Sequence, residues 1–531
     1  MPEHRDFKPS GAVAAGWRTP ARKRWSLAVV LSLLVTGCTA GPFGLTSSGT
    51  SGVVTAQVAA PSEKTTVLDA EPGAGSAIAV SSALFRSSPV VVVAAESDRE
   101  ALAGAGALAE RLGVPVLQLP ASTLAEPGTA AVRDEVGRLS PQVVLTVGAD
   151  ARREVEAWAG KAKVVGIDAP EGGATTTELP AGLPAVEPAG PVDVTVLSDK
   201  GRDDAAAVAT ARAAGARIVS LRGVDPRSDA AATDALRSQP SAALLALGKD
   251  FGPPDRLRKR VDAVGRGGSL PGGGQVLFPG RMLVCLYGHP DGPALGALGE
   301  QDLEGSIARV KGLAAEYDPL SDVPVVPTLE IIATVAQSSP GPDGDYSSET
   351  DVESLRPWVE RAGQEGVYVI LDLQPGRARL LDQAKRYAPL LELSHVGLAV
   401  DPEWKLGPGQ VPLQQIGGVD AAEINEVSAW LADLTAAKQL PQKLLVAHQF
   451  QLSMIRDEQA LDTTRDEVQL LIHMDGQGTT GQKVSTWESV VGARPGNLPM
   501  GWKNFYDEDK PMLTPQQTMS YEPKPSMVSY Q

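Results

Sequence analysis

The chain is short of the residues that staple small secreted folds or build zinc modules. Of its 531 residues only two are cysteines, Cys38 and Cys285, which excludes a disulfide-built scaffold and any cysteine-based zinc module. Aromatics are sparse at 4%, and there are five histidines. Basic side chains are outnumbered, 48 against 64 acidic, for a formal charge of −16. An acidic balance gives no general attraction for a phosphate backbone, so nucleic acid is not an expected partner. No run reaches 18 apolar residues, too few for the roughly 20 that a permanent membrane span needs. What is present is 43% hydrophobic and 21% charged residues, an ordinary globular mix. The length allows two to four domains at roughly 150 residues each.

The first forty residues carry an address. Residues 18–24 (RTPARKR) are basic, residues 25–35 (WSLAVVLSLLV) are apolar, and the small residues Thr36 and Gly37 lead to Cys38. This order is that of a secretory signal, so residues 1–37 are expected to be removed. The segment LVTGC resembles the lipobox of bacterial lipoproteins. That resemblance implies cleavage before Cys38, an acyl anchor such as palmitate on Cys38, and a place on the extracytoplasmic face of the cell membrane. Loss of residues 1–37 would take the formal charge to −20. Cys285, in the apolar run MLVCLY, then has no disulfide partner and reads as a buried small hydrophobe.

Composition shifts divide the rest. Residues 38–87 are rich in Gly, Ser, Thr, Ala and Pro and read as a flexible tether. Similar breaks at 170–190 and 264–275 separate 88–169, 191–263 and 276–531. The first two pieces share one pattern at an offset of about one hundred residues. In the first, PVVVVAA (89–95), an Ala-rich helix from Ser97 to Leu112, VPVLQL (114–119) and VVLTVGAD (143–150) follow one another. In the second, VDVTVL (192–197), a helix over 203–214, ARIVSL (216–221) and ALLALGKD (243–250) do the same. Uninterrupted Val/Ile/Leu strands between helices predict parallel sheets covered on both faces. The run Ala103-Gly104-Ala105-Gly106-Ala107 falls inside a helix, not at the strand-to-helix turn where a dinucleotide loop would need it, so it predicts close packing.

The first piece resembles the type-2 cell-wall-binding repeat of Gram-positive surface proteins. Glu100-Ala101-Leu102 stands where that family has Asp-Ala-Leu, and Gly148-Ala149 replaces its double glycine. The second copy is weaker, with Asp204-Ala205-Ala206, Gly215-Ala216 and Gly248-Lys249. The resemblance implies noncovalent holding of an envelope polymer. A chain this acidic needs a local basic face to hold an acidic one.

Residues 276–531 hold 16 of the 23 aromatics and four of the five histidines. Apolar strands are predicted at 281–288, 323–336, 367–374, 395–402, 443–450, 468–475, 501–506 and 526–531. Helices are predicted at 302–316, 351–365, 377–390, 420–438 and 483–491. The fold class is therefore α/β, two small parallel-sheet repeats followed by a (β/α)8-type barrel, with a flavodoxin-like open sheet as the alternative for the last piece. A barrel places its site at the carboxyl ends of the strands. Glu330 lies in the second strand, Asp372 ends the third, Asp401 the fourth with Glu403 and Trp404 after it, His448 the fifth, and His473 and Asp475 the sixth. In VILDLQPG, period-two alternation turns Asp372 away from its flanking leucines and toward the barrel mouth. Carboxylates beside an aromatic platform suit carbohydrate. Asp372, Asp401 and Glu403 are thus the catalytic candidates, Asp372 as acid and Asp401 or Glu403 as nucleophile or base, with the roles exchangeable. Glu330, Trp404, His448, His473 and Asp475 are the substrate-binding candidates. No cofactor and no resident metal are assigned. A set of His448, His473 and Asp475 stays open, because spacing between strands says nothing of distance.

LAVDPEW, IGGVDAAEINEVSAWL, LPQKLLVAHQF and YEPKPSMVSYQ resemble bacterial lipoproteins with an uncharacterised glycosidase-like barrel, a likeness that implies fold and compartment rather than a reaction. The chitinase-type Asp-x-x-Asp-x-Asp-x-Glu motif is absent. So are a Gly-x-Ser-x-Gly elbow with a partner histidine, His-Glu-x-x-His and a phosphate-binding Walker loop. The expected function is glycoside-hydrolase-like action on an envelope or extracellular polysaccharide. The alternative is a non-catalytic wall-binding or scaffolding lipoprotein whose barrel is inactive.

Overall fold

The computed structural model describes residues 52–121, 126–169 and 179–531. The expected signal segment, residues 1–37, and the expected lipidation site Cys38 lie outside these residues. No helix among them is long and apolar enough to cross a membrane.

The N-terminal half builds two four-stranded parallel sheets. The strands are β1 (Thr65–Leu68), β2 (Val90–Ala95), β3 (Val116–Leu119), β4 (Val143–Val147), β5 (Lys163–Ile167), β6 (Val194–Asp199), β7 (Arg217–Leu221) and β8 (Ala243–Leu247). One sheet runs β3-β2-β4-β5 and the other β7-β6-β8-β1. The two orders match strand for strand, except that the fourth strand of the second sheet comes from the beginning of the chain. β1 pairs parallel with β8 as β5 pairs parallel with β4. Val90 to Ala94 are fully buried, as expected of strands covered on both faces.

The tether expected over 38–87 is therefore corrected for its described part. Behind β1 comes helix α1 (Ala74–Leu84), with Ala77, Val80, Leu84 and the following Phe85 fully buried. The composition that resembles a linker, Ala, Ser and Gly with few large side chains, is also the one that lets a helix pack closely between two layers. The same holds for the glycines inside helix α2 (Arg99–Leu112). A Cβ on Gly106 would stand only 3.2 Å from the Cβ of Ala209, which belongs to the facing helix Ala205–Ala213 that follows β6. The expected close packing is present, and it is helix against helix.

The break at 264–275 is not a free linker either. Gly272, Gly273 and Gly274 have φ of 82°, 85° and 69°, a run of left-handed residues open mainly to glycine. The turn they make sends Leu270 and Leu277 into the base of the next domain, where both are buried with Leu283, Val326, Tyr368 and Leu444.

That domain is a closed barrel of eight parallel strands. They are β9 (Met282–Gly288), β10 (Val325–Ala336), β11 (Tyr368–Leu373), β12 (Val396–Val400), β13 (Lys443–His448), β14 (Val468–Met474), β15 (Met500–Asn504) and β16 (Met527–Tyr530). Each strand pairs with the next in sequence, and β16 closes on β9. All eight lie where the sequence pattern places them. The pleat sorts side chains by period two. Cys285, Ile370, Ala399, Val446, Leu471 and Met527 fill the interior, while Val284, Leu371, Leu398, Leu445 and Ile472 point into the helical layer outside.

An ion cluster joins the segment around the second sheet to the barrel. Asp466, just before β14, accepts hydrogen bonds from Arg256 and Arg260 at 2.6 and 2.7 Å. Arg227 donates to its carbonyl at 3.0 Å.

Candidate functional site

Two residues beyond each interior apolar position, the same inward face turns polar. Cys285 is followed by Tyr287, Ile370 by Asp372, Ala399 by Asp401, Val446 by His448, Leu471 by His473 and Met527 by Ser529. Glu330 on β10 and Lys503 on β15 complete a layer to which all eight strands contribute. Its members are at most 4% exposed. Asp372 points inward as its alternation with apolar neighbours predicts, since Leu371 and Leu373 belong to the outer core.

His448 stands at the centre of this layer. Its Nδ1 lies 2.9 Å from Asp475 Oδ2, its Nε2 3.1 Å from Glu330 Oε1 and 3.9 Å from Asp372 Oδ1. Burial opposes a charge on the ring, but the hydrogen bonds to Asp475 and Glu330 and the charge of Asp372 outweigh it and hold His448 well above the ordinary imidazole range. Its neighbour His473 has ring centroids 4.9 Å away and shares a 3.0 Å hydrogen bond between Nε2 and Ser529 Oγ. Burial, then the charges of His448 and Lys503, drive His473 well below the imidazole range. The Tyr287 hydroxyl donates to Asp372 Oδ2 at 2.9 Å, and Lys503 Nζ lies 3.5 Å over the Tyr287 ring.

Above the layer opens a cavity of about 570 Å3, lined among others by Asp401, Glu403, Trp404, Phe450, Asp475, Lys503 and Phe505. Asp401 begins the turn Pro402–Trp404 by accepting from the backbone N–H of Glu403. Burial, and then the nearby Asp475 carboxylate, raise Glu403 from 4.5 to about 7. Asp401 rises well above the carboxylate range through burial and the charge of Glu403. Burial pushes Asp475 upward too, yet its hydrogen bond to His448 and the His448 charge bring it below the ordinary value. The rim is braced by a buried pair, Lys483 Nζ to Asp509 Oδ2 at 2.8 Å. Lys483 also donates to the carbonyls of Gly476 and Lys503, tying the loop after β14 to β15.

No family model matches the chain, and no curated protein matches it. Among solved structures it is similar to Cwp6 from Clostridium difficile at 11% identity and a TM-score of 0.30, over 59% of this chain. It spans 63% of that protein's length, less than two thirds. It is also similar to a radical S-adenosylmethionine methyltransferase, TsrM, from Kitasatospora setae, at 14% identity and a TM-score of 0.19, over 77% of this chain and 78% of that one. At these scores neither likeness carries an argument, and the site rests on its own geometry.

All eight residues singled out in the sequence meet at this one mouth, at two depths. Asp401, Glu403, Trp404 and Asp475 line the cavity. Asp372, Glu330, His448 and His473 are fully buried beneath it. Asp372, expected as the acid, is bonded to Tyr287 and is not among the cavity-lining groups. Tyr287, Lys503 and Ser529 were not singled out. None of the three is a carboxylate or a histidine, although the lysine in the apolar strand GWKNFY is a legible signal. The aromatic enrichment divides likewise. Trp404, Phe450 and Phe505 face the cavity, whereas Trp487 and Trp502 are core residues packed on each other with centroids 5.3 Å apart.

Proposed function

We propose that this chain is an exported, acyl-anchored envelope protein whose barrel hydrolyses glycosidic bonds of an envelope polysaccharide. The observation that carries the reading is the pairing, in one cavity, of a carboxyl poised near neutrality with a second carboxylate and an aromatic wall. Glu403, raised to about 7, still holds its proton near neutral pH and serves as the general acid at the leaving oxygen. Asp475, fixed by His448 Nδ1 at 2.9 Å, serves as nucleophile or base. Glu403 follows β12 and Asp475 follows β14, so the two flank the strand that carries His448. Trp404 and Phe450 supply apolar faces against which sugar rings stack. Asp372 becomes a positioning residue that acts through Tyr287.

Incubation of the full exported chain with a panel of cell-wall glycans, followed by detection of new reducing ends, tests this reading. Release is expected from the wild type. Glu403→Gln and Asp475→Asn should each lower it by about 10²- to 10⁴-fold. Equal and undetectable release from all three, with glycan still bound, would make the protein a scaffold instead.

A further inference from the structure

The layer beneath the cavity holds more acceptors than it has partners for. Glu330 Oε2 and Asp372 Oδ1 are buried without a hydrogen-bond partner, on side chains that are fully buried. An unmet carboxylate oxygen at such depth is costly. Both belong to groups that converge on His448 Nε2, at 3.1 Å for Glu330 Oε1 and 3.9 Å for Asp372 Oδ1. His473 stands beside them, and one donor atom from each of Glu330, His448 and His473 lies within 4.8 Å of the others. Ligands of a tetrahedral zinc ion, each about 2.0–2.2 Å from the metal, sit roughly 3.4 Å apart, so small side-chain rotations would complete the cage.

We propose that Glu330, His448 and His473 form a binding site for a divalent transition-metal ion of the zinc class, with Asp372 Oδ1 as the fourth donor. This goes beyond the glycan-cleaving reading and does not depend on it. Two imidazoles with carboxylate oxygens are a donor set suited to zinc and to iron or manganese, and poorly suited to soft, thiolate-seeking ions. The outer shell is in place. Asp475 takes the Nδ1 hydrogen of His448 at 2.9 Å, which leaves Nε2 to the metal. Ser529 Oγ steadies the ring of His473 at 3.0 Å. The three donors come from β10, β13 and β14, strands of the closed barrel, so the spacing is held by the sheet rather than by loops.

Zn2+ titrated into the chelator-treated full chain, followed by calorimetry and by metal analysis after dialysis, is the test. About one equivalent should be retained by the wild type. Glu330→Gln and His473→Gln, each checked for folding by near-ultraviolet circular dichroism, should weaken uptake by about 100-fold or more. Should a variant not fold, Zn2+-induced shifts of the His448 and His473 ring resonances in the wild type decide in its place, and their absence counts against the site. Failure of the wild type to retain zinc, or unchanged uptake by either folded variant, overturns the proposal. Reducing-end release is scored separately, so the fate of one idea does not settle the other.

Discussion

Glu403 and Asp475 differ in what surrounds them, and the proposed roles follow from that difference. Glu403 is set in a largely buried turn next to another carboxylate, which lifts it from 4.5 to about 7. If it is the acid, turnover should fall on the alkaline side with a midpoint near pH 7, and Glu403→Gln should abolish that limb along with most of the rate. The linked effect on stability has a definite sign. Between pH 4.5 and 7 the unfolded chain has released a proton that the folded chain still holds, so Glu403 makes stability decline across that window as pH rises. Thermal unfolding of Glu403→Gln should lose that slope and lie above the wild type at pH 8. A loss of activity that comes with a gain in stability separates a functional residue from a merely structural one.

At the scale of elements, the barrel strands were legible because each is an apolar run of ordinary strand length bounded by polar residues, and the period-two rule was enough to aim Asp372 inward. The segments from 52 to 87 and from 264 to 275 were not legible. Composition alone cannot tell a small-residue linker from a small-residue helix wedged between layers, and only the tertiary partners of α1 distinguish them. Leu84→Ala, which removes a fully buried side chain of that helix, should cost about 2–5 kcal/mol in denaturant unfolding. An authentic tether would tolerate the change without effect. Asp466 makes a second element-scale case. Burial pushes its carboxyl upward, but the hydrogen bonds from Arg256 and Arg260 overcome this and hold it below the ordinary range. Its contribution is therefore complete above about pH 4 and is lost as pH falls further. Asp466→Asn should cost about 2 kcal/mol at neutral pH, less than a fully buried pair because the side chain is partly exposed, and the difference from the wild type should shrink in acid.

At the scale of the whole molecule, two four-stranded sheets precede a barrel whose mouth gathers the polar groups at the ends of its separate strands. The convergence was readable because strand ends in a barrel must share one rim. The division of that rim into a cavity wall and a buried floor was not, because depth depends on the register between strands. If Cys38 carries the anchor, Cys38→Ala should move the protein from the membrane fraction to the medium while leaving the barrel folded. In the proposed reaction Glu403 delivers a proton to the leaving oxygen of a sugar. The most direct test of that role compares Glu403→Gln on an unactivated glycan and on an aryl glycoside whose leaving group needs no proton. A loss of about 10²- to 10⁴-fold is expected on the first, with near wild-type turnover in the bond-breaking step on the second. Equal losses on both would contradict that role.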